Sequence, residues 1–101
     1  MSERKVSRTV VVRTPRGLHL RPWGQFAELA HKFDAKIVVI KGGTQADGRS
    51  TMQLLTLAAV EGSELQVEAQ GPAAEEAVAA LCEFVDSLFE EIETTDQNSS
   101  G

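Results

Sequence analysis

The chain has 101 residues, 42% of them hydrophobic and 25% charged, with a formal net charge of −5 at pH 7. That length holds one domain around one core, and no apolar run approaches the ~18 residues that a membrane span needs. The negative charge argues against a binder whose affinity rests on Lys and Arg neutralising nucleic-acid phosphates.

All ten basic residues lie between Arg4 and Arg49, whereas the chain from Ser50 onward carries eleven acidic residues and neither Lys nor Arg. The basic half has the charge to meet an acidic partner, or both halves are simply solvated faces; charge alone does not separate these readings. With Cys82 as the single cysteine, an internal disulfide and a multi-cysteine metal site are ruled out, as suits a reducing compartment. A small apolar residue on a helix face is the favoured reading of Cys82 over a reactive thiol. Met1 to Arg8 is polar and does not read as a secretory signal, so the expected location is the cytoplasm.

Lys5 to Arg13, with Val6, Val10 and Val12 at even positions, reads as a first strand, and Thr14-Pro15-Arg16-Gly17 as the turn that breaks it. From Leu20 to Phe33 the residues Phe26, Leu29, Ala30 and Phe33 recur at helical spacing, with Pro22 in the opening turn where proline is tolerated. Lys36 to Lys41 encloses an apolar run, and Gly42-Gly43 turns it back into a strand over Thr44 to Asp47. Ser50-Thr51-Met52-Gln53 matches a capping box and predicts a second helix to about Val60, ended by Gly62, with Leu54, Leu57 and Ala58 towards the core. Glu64 to Gln70 alternates strictly, which places Leu65, Val67 and Ala69 on a core. Ala74 to about Glu93 carries Ala77, Val78, Leu81, Val85, Leu88 and Ile92 on one side of a third helix. The reading is a single domain over residues 1–93 with a polar, flexible tail over 94–101. One-sided alternation in the clearest strand implies an α+β structure, with helices on one face of a mostly antiparallel sheet.

The segment that carries chemistry is Gly17-Leu18-His19-Leu20-Arg21-Pro22. A glycine turn delivers a histidine to the mouth of a helix, with an arginine two residues on. Neutral imidazole is a nucleophile at pH 7 that needs no prior deprotonation. A phosphoryl group on it would lie beside the free amides and positive dipole end of the helix, where Arg21 adds a charge-assisted hydrogen bond. Phosphoryl transfer needs mainly positioning and charge stabilisation, so this small set suffices when a partner protein supplies the rest. No phosphate-binding glycine loop with its lysine, no nucleophile-base-orienter set and no zinc spacing accompanies it, and neither a cofactor nor a metal is expected.

Together with Gly48-Arg49-Ser50-Thr51-Met52, the Gly62 and Gly71 turns and the element order, this segment resembles HPr, the histidine-containing phosphocarrier family of the bacterial phosphoenolpyruvate-dependent phosphotransferase system. The likeness runs from about Lys5 to Glu91. It implies an open-faced sandwich of four antiparallel strands and three helices. It implies a relay protein rather than an enzyme, with His19 as the phosphoryl acceptor through its Nδ1 atom and Arg21 as the residue that holds the phosphate. Pro22 matches the proline that usually follows. An Enzyme I-like donor and a sugar-specific or regulatory acceptor protein are the implied partners, in sugar uptake or in a nitrogen-related regulatory branch. Ser50 matches a regulatory serine that a dedicated kinase modifies in some bacteria, although helix capping alone explains a serine there. Leu20, Trp23, Gly24, Met52 and Leu55 fall where partners would be met. A monomer that neither enters a membrane nor binds nucleic acid is expected.

The chain departs from the family at Trp23, where a small residue is usual. Two readings stand for it: an exposed anchor for a partner, or packing onto Phe26 and Ala27, which its spacing favours. Glu28 and His31 occupy first-helix positions that are often basic, which bears on how a donor is recognised. Two further readings compete with the carrier. One is a regulatory binding module of the same fold that works through Ser50, against which the retention of His19 with Arg21 and the glycine turn counts. The other, an unrelated α+β ligand-binding domain, leaves the joint His19, Arg21 and Ser50 pattern as coincidence.

Overall fold

Seven elements follow one another: β1 (Lys5–Val11), α1 (Leu20–Ala30), β2 (Lys36–Lys41), β3 (Thr44–Asp47), α2 (Thr51–Leu55), β4 (Glu64–Gln70) and α3 (Ala74–Ser100). They come from a computed structural model that describes residues 5–100, and the side chains of residues 5–88. The strands form one antiparallel sheet in the order β1-β4-β2-β3. The alternation of β4 sets its register: Val67 faces Arg8 on β1 and Val39 on β2, while Ala69 faces Val6 and Ile37. Leu65, Val67, Ala69, Ile37, Val39 and Ala46 thus share one face and are buried. The alternate residues of the same strands line an open face, as expected of an antiparallel sheet covered on one side only.

Helix α3 packs on β1 and β4, α1 lies against α3 and α2, and α2 reaches β3. The core between these layers is filled by Trp23, Phe26, Leu54, Leu81, Val78 and Val85, all below 2% exposed. Burying a Val, Leu or Phe side chain of this kind contributes about 1.5–3 kcal/mol. The open-faced α+β sandwich expected from the sequence is the observed fold. No helix among the described residues is long and apolar enough to cross a membrane.

Four element ends differ from expectation. Strand β1 stops at Val11 rather than Arg13, and beyond it the chain pairs with the loop before β4. Helix α1 stops at Ala30 rather than Phe33, because the amides of Lys32 and Phe33 turn to the carbonyls three residues back, those of Leu29 and Ala30. The Arg49 guanidinium then donates to the carbonyls of Phe33 (2.8 Å) and Ala35 (3.0 Å), which lie in the loop between α1 and β2. Helix α2 ends at Leu55, not near Val60, and Gly62 does not terminate it. Leu54 and Leu57 are buried as expected, but Ala58 is exposed and left-handed, with φ 50°. The backbone of α3 continues to Ser100, past the expected end at Glu93. The Ile92 side chain and the tail expected over 94–101 lie outside the described side chains.

Candidate functional site

Beyond β1 the chain is pinned to the loop that precedes β4: the Val12 amide donates to the Ser63 carbonyl (2.9 Å) and the Gly62 amide to the Val12 carbonyl (2.8 Å). Thr14, 1% exposed, closes the following turn. Its carbonyl accepts from the Gly17 amide at 3.0 Å and its Oγ1 from the Arg16 amide at 3.3 Å. Gly17 has φ +72°, and a Cβ there would stand 2.6 Å from the Ala59 carbonyl oxygen. Only glycine meets both demands, the left-handed backbone and the close approach. The next amide, that of buried Leu18, donates to the same Ala59 oxygen at 2.8 Å.

His19 follows as the N-cap of α1, extended at φ −112°, its side chain free of any capping bond. It is exposed, and so is Arg21. The His19 carbonyl accepts from the Trp23 amide at 3.1 Å, Pro22 has no N–H, and the Leu20 and Arg21 amides come too early in the helix for an intrahelical acceptor. No acidic residue stands in this first turn. The arrangement therefore offers an exposed imidazole next to open donors and a cation, with no carboxylate in the first turn of the helix to repel an anion.

The apolar candidates separate. Leu20 is 62% and Met52 75% exposed, whereas Leu55 and Gly24 are half-buried. Trp23 is corrected: it is 0% exposed and presents nothing to a partner. Its indole meets the Phe26 ring edge-on, with centroids 5.2 Å apart and planes at 82°, and its Nε1 is buried without an acceptor. The packing reading holds because a bulky ring one turn into an amphipathic helix gains more from the core than from water. Val60, 62% exposed in the loop against Gly17, was not singled out from the sequence. Ala59 was not either, and Ala58 was expected on the core face of the helix, since two alanines after a leucine read as helix and only a glycine or asparagine at Ala58 would have signalled the turn.

Ser50 caps α2, its Oγ accepting from the Gln53 amide at 3.2 Å. The reciprocal half of the capping box is different: the Gln53 side chain accepts from the Asp47 amide at 2.9 Å, and the Ser50 amide donates to the Asp47 carbonyl at 3.0 Å. Gln53 thereby ties the helix to the end of β3. Replacing Ser50 with alanine is expected to lower stability by about 1 kcal/mol, the usual worth of an N-cap, in urea unfolding. A loss below a few tenths would show that this hydroxyl does not hold the helix.

Glu28 on α1 and His31, which caps the end of that helix, are exposed. The two charged halves meet in part, Arg13 with Asp86 at 2.9 Å and Lys5 with Glu68 at 3.7 Å. Such surface pairs contribute little, but they engage two of the cations that the sequence offered to an acidic partner. Cys82 is buried, and desolvation pushes its thiol pKa up, with Arg8 lowering it and Asp86 raising it; the thiol is a core residue.

Comparison with known proteins gives one consistent result. Residues 6–87 match the family described as PTS HPr component phosphorylation site. The phosphocarrier protein HPr of Vibrio cholerae is 40% identical over 79 residues, which cover 78% of this chain and 93% of that protein. The phosphocarrier protein NPr of Escherichia coli is 38% identical over 87 residues, covering 85% and 97%. The crystal structure of HPr from Thermoanaerobacter tengcongensis superposes with a TM-score of 0.79 at 30% identity, over 84% of this chain and 96% of that one. That of the Bacillus anthracis HPr gives 0.76 at 34%, over 79% and 95%. A site built around an exposed histidine at a helix mouth, on this sheet and with these relatives, places the chain in the HPr family of phosphocarrier proteins of the phosphotransferase system.

Proposed function

We propose that this phosphocarrier bears its phosphoryl group on His19 and that Arg21, with the open amides of Leu20 and Arg21, stabilises the charge it brings. A ring nitrogen of His19 attacks the phosphorus of a phosphorylated donor of the Enzyme I type, and the bond from phosphorus to the donor breaks as the new N–P bond forms. In the second step a nucleophile on the acceptor protein takes the same phosphorus, and the imidazole leaves unchanged. The observation that carries the reading is the exposed His19 side chain, free of a capping bond, at the start of a helix whose first turn holds no carboxylate.

Relatives named HPr and NPr match at nearly equal identity, 40% and 38%. The relay common to both is therefore the function proposed, and service in sugar uptake or in a nitrogen-related branch is decided by which donor phosphorylates the protein faster. A module acting only through Ser50 is less well supported, because that hydroxyl is half-buried and engaged with the Gln53 amide. Incubation with phosphoenolpyruvate, Mg²⁺ and the cognate Enzyme I is expected to add one acid-labile phosphoryl group. An acid-stable adduct would instead point to a hydroxyl such as that of Ser50.

A further inference from the structure

Ala58 is the one non-glycine residue with positive φ, at 50°, among the described residues. An L side chain disfavours this region because its Cβ crowds the following carbonyl, and such strain persists only where the surroundings impose it. Ala58 ends the turn after α2, its amide donating to the Leu55 carbonyl at 3.3 Å, in a role that glycine usually fills. Its left-handed backbone sends the chain sharply out of the helical path, and the next residue is Ala59, 3% exposed. The Ala59 carbonyl holds the Leu18 amide at 2.8 Å and is the atom that a Cβ on Gly17 would strike. One carbonyl oxygen thus accepts from Leu18 and lies hard against Gly17, the two residues that lead into His19.

We propose that Ala58 is a positioning residue for His19: its left-handed backbone aims the Ala59 carbonyl at Leu18 and so fixes where the histidine leaves the turn. The functional half of this inference rests on His19 as the acceptor, and the link from Ala58 to Leu18 stands apart from it. A residue that takes the left-handed region readily should preserve the link. A β-branched residue should swing the carbonyl away, leave the Leu18 amide without its acceptor and let the approach to His19 wander.

The test compares Ala58→Gly, Ala58→Val and a control, Leu81→Ala, which loosens the core under α3 instead. The readouts are hydrogen exchange at the Leu18 amide and the rate of phosphoryl uptake from saturating donor. Glycine is expected to raise the melting temperature by roughly 5 °C and to leave both readouts within about twofold. Valine is expected to speed Leu18 exchange about tenfold beyond the control and to slow uptake by about the same factor. Should valine prevent folding, Ala58→Asn against Ala58→Ser makes the same comparison, since asparagine takes the left-handed region and serine does not. Valine and control behaving alike in Leu18 exchange would overturn the link. Faster Leu18 exchange with uptake unchanged would overturn the positioning role. If even the wild type takes up no phosphoryl group, the acceptor reading fails, while the exchange data still decide the link.

Discussion

Trp23→Ala is expected to cost about 3–5 kcal/mol, the range for deleting a large aromatic side chain from a packed core. Trp23 is 0% exposed and sits edge-on against Phe26, which in turn tilts against Phe84 at 6.4 Å, so its removal opens a hole where α1 meets α3. Trp23→Phe should cost far less, on the order of 1 kcal/mol. It keeps a ring against Phe26 and removes an indole N–H that is buried with no acceptor, a group whose desolvation carries its own penalty of about 1–3 kcal/mol. Urea unfolding followed by circular dichroism measures both, since the variants lack the only tryptophan. A Trp23→Ala loss below about 1 kcal/mol would mean that the indole faces a partner rather than the core.

Gly17→Ala is the second large effect, expected at roughly 2–5 kcal/mol. A methyl group at φ +72° costs about 1–2 kcal/mol by itself. The remainder comes from a Cβ placed 2.6 Å from the Ala59 oxygen and 3.0 Å from the Val60 Cα, an overpacking that backbone atoms relieve only by moving, at about 1–3 kcal/mol. The movement also breaks the hydrogen bond from Leu18 to Ala59 next to His19, so phosphoryl uptake should fall even at temperatures where the variant is fully folded. Unfolding curves and initial uptake rates check the two effects separately. A variant as stable and as fast as the wild type would mean that the turn does not need glycine.

The contrast between those two residues shows what the sequence made legible. Strands β2, β3 and β4 were readable to their last residue because alternation and the Gly42-Gly43 turn leave little choice of register. Gly17 could be read as a turn residue, and His19 as the residue at the mouth of a helix, because both follow from local chemistry. The Ala59 carbonyl could not, since a backbone oxygen has no signature in the residue type that carries it, and Ala58 adopts against its propensity a conformation that tertiary contacts impose. Gln53 shows the same override on a smaller scale: its spacing from Ser50 fits a capping box, but its side chain reaches Asp47 because β3 lies closer. Trp23 was half legible. Its helical phase pointed to the core, whereas its place beside Arg21 and Pro22 suggested a surface; packing decided the matter.

The central claim is that the phosphoryl group travels on His19, and intact-mass measurement of wild type, His19→Ala and Ser50→Ala tests it most directly. Each protein is incubated with phosphoenolpyruvate, Mg²⁺ and the cognate Enzyme I, then split between neutral and acid quenching. Because His19 is exposed and its side chain makes no capping bond, its replacement should leave the fold and the melting temperature nearly unchanged. An acid-labile adduct on wild type and Ser50→Ala, absent from a folded His19→Ala, is the predicted result. An adduct that persists on His19→Ala would contradict the account, as it would place the relay on another residue.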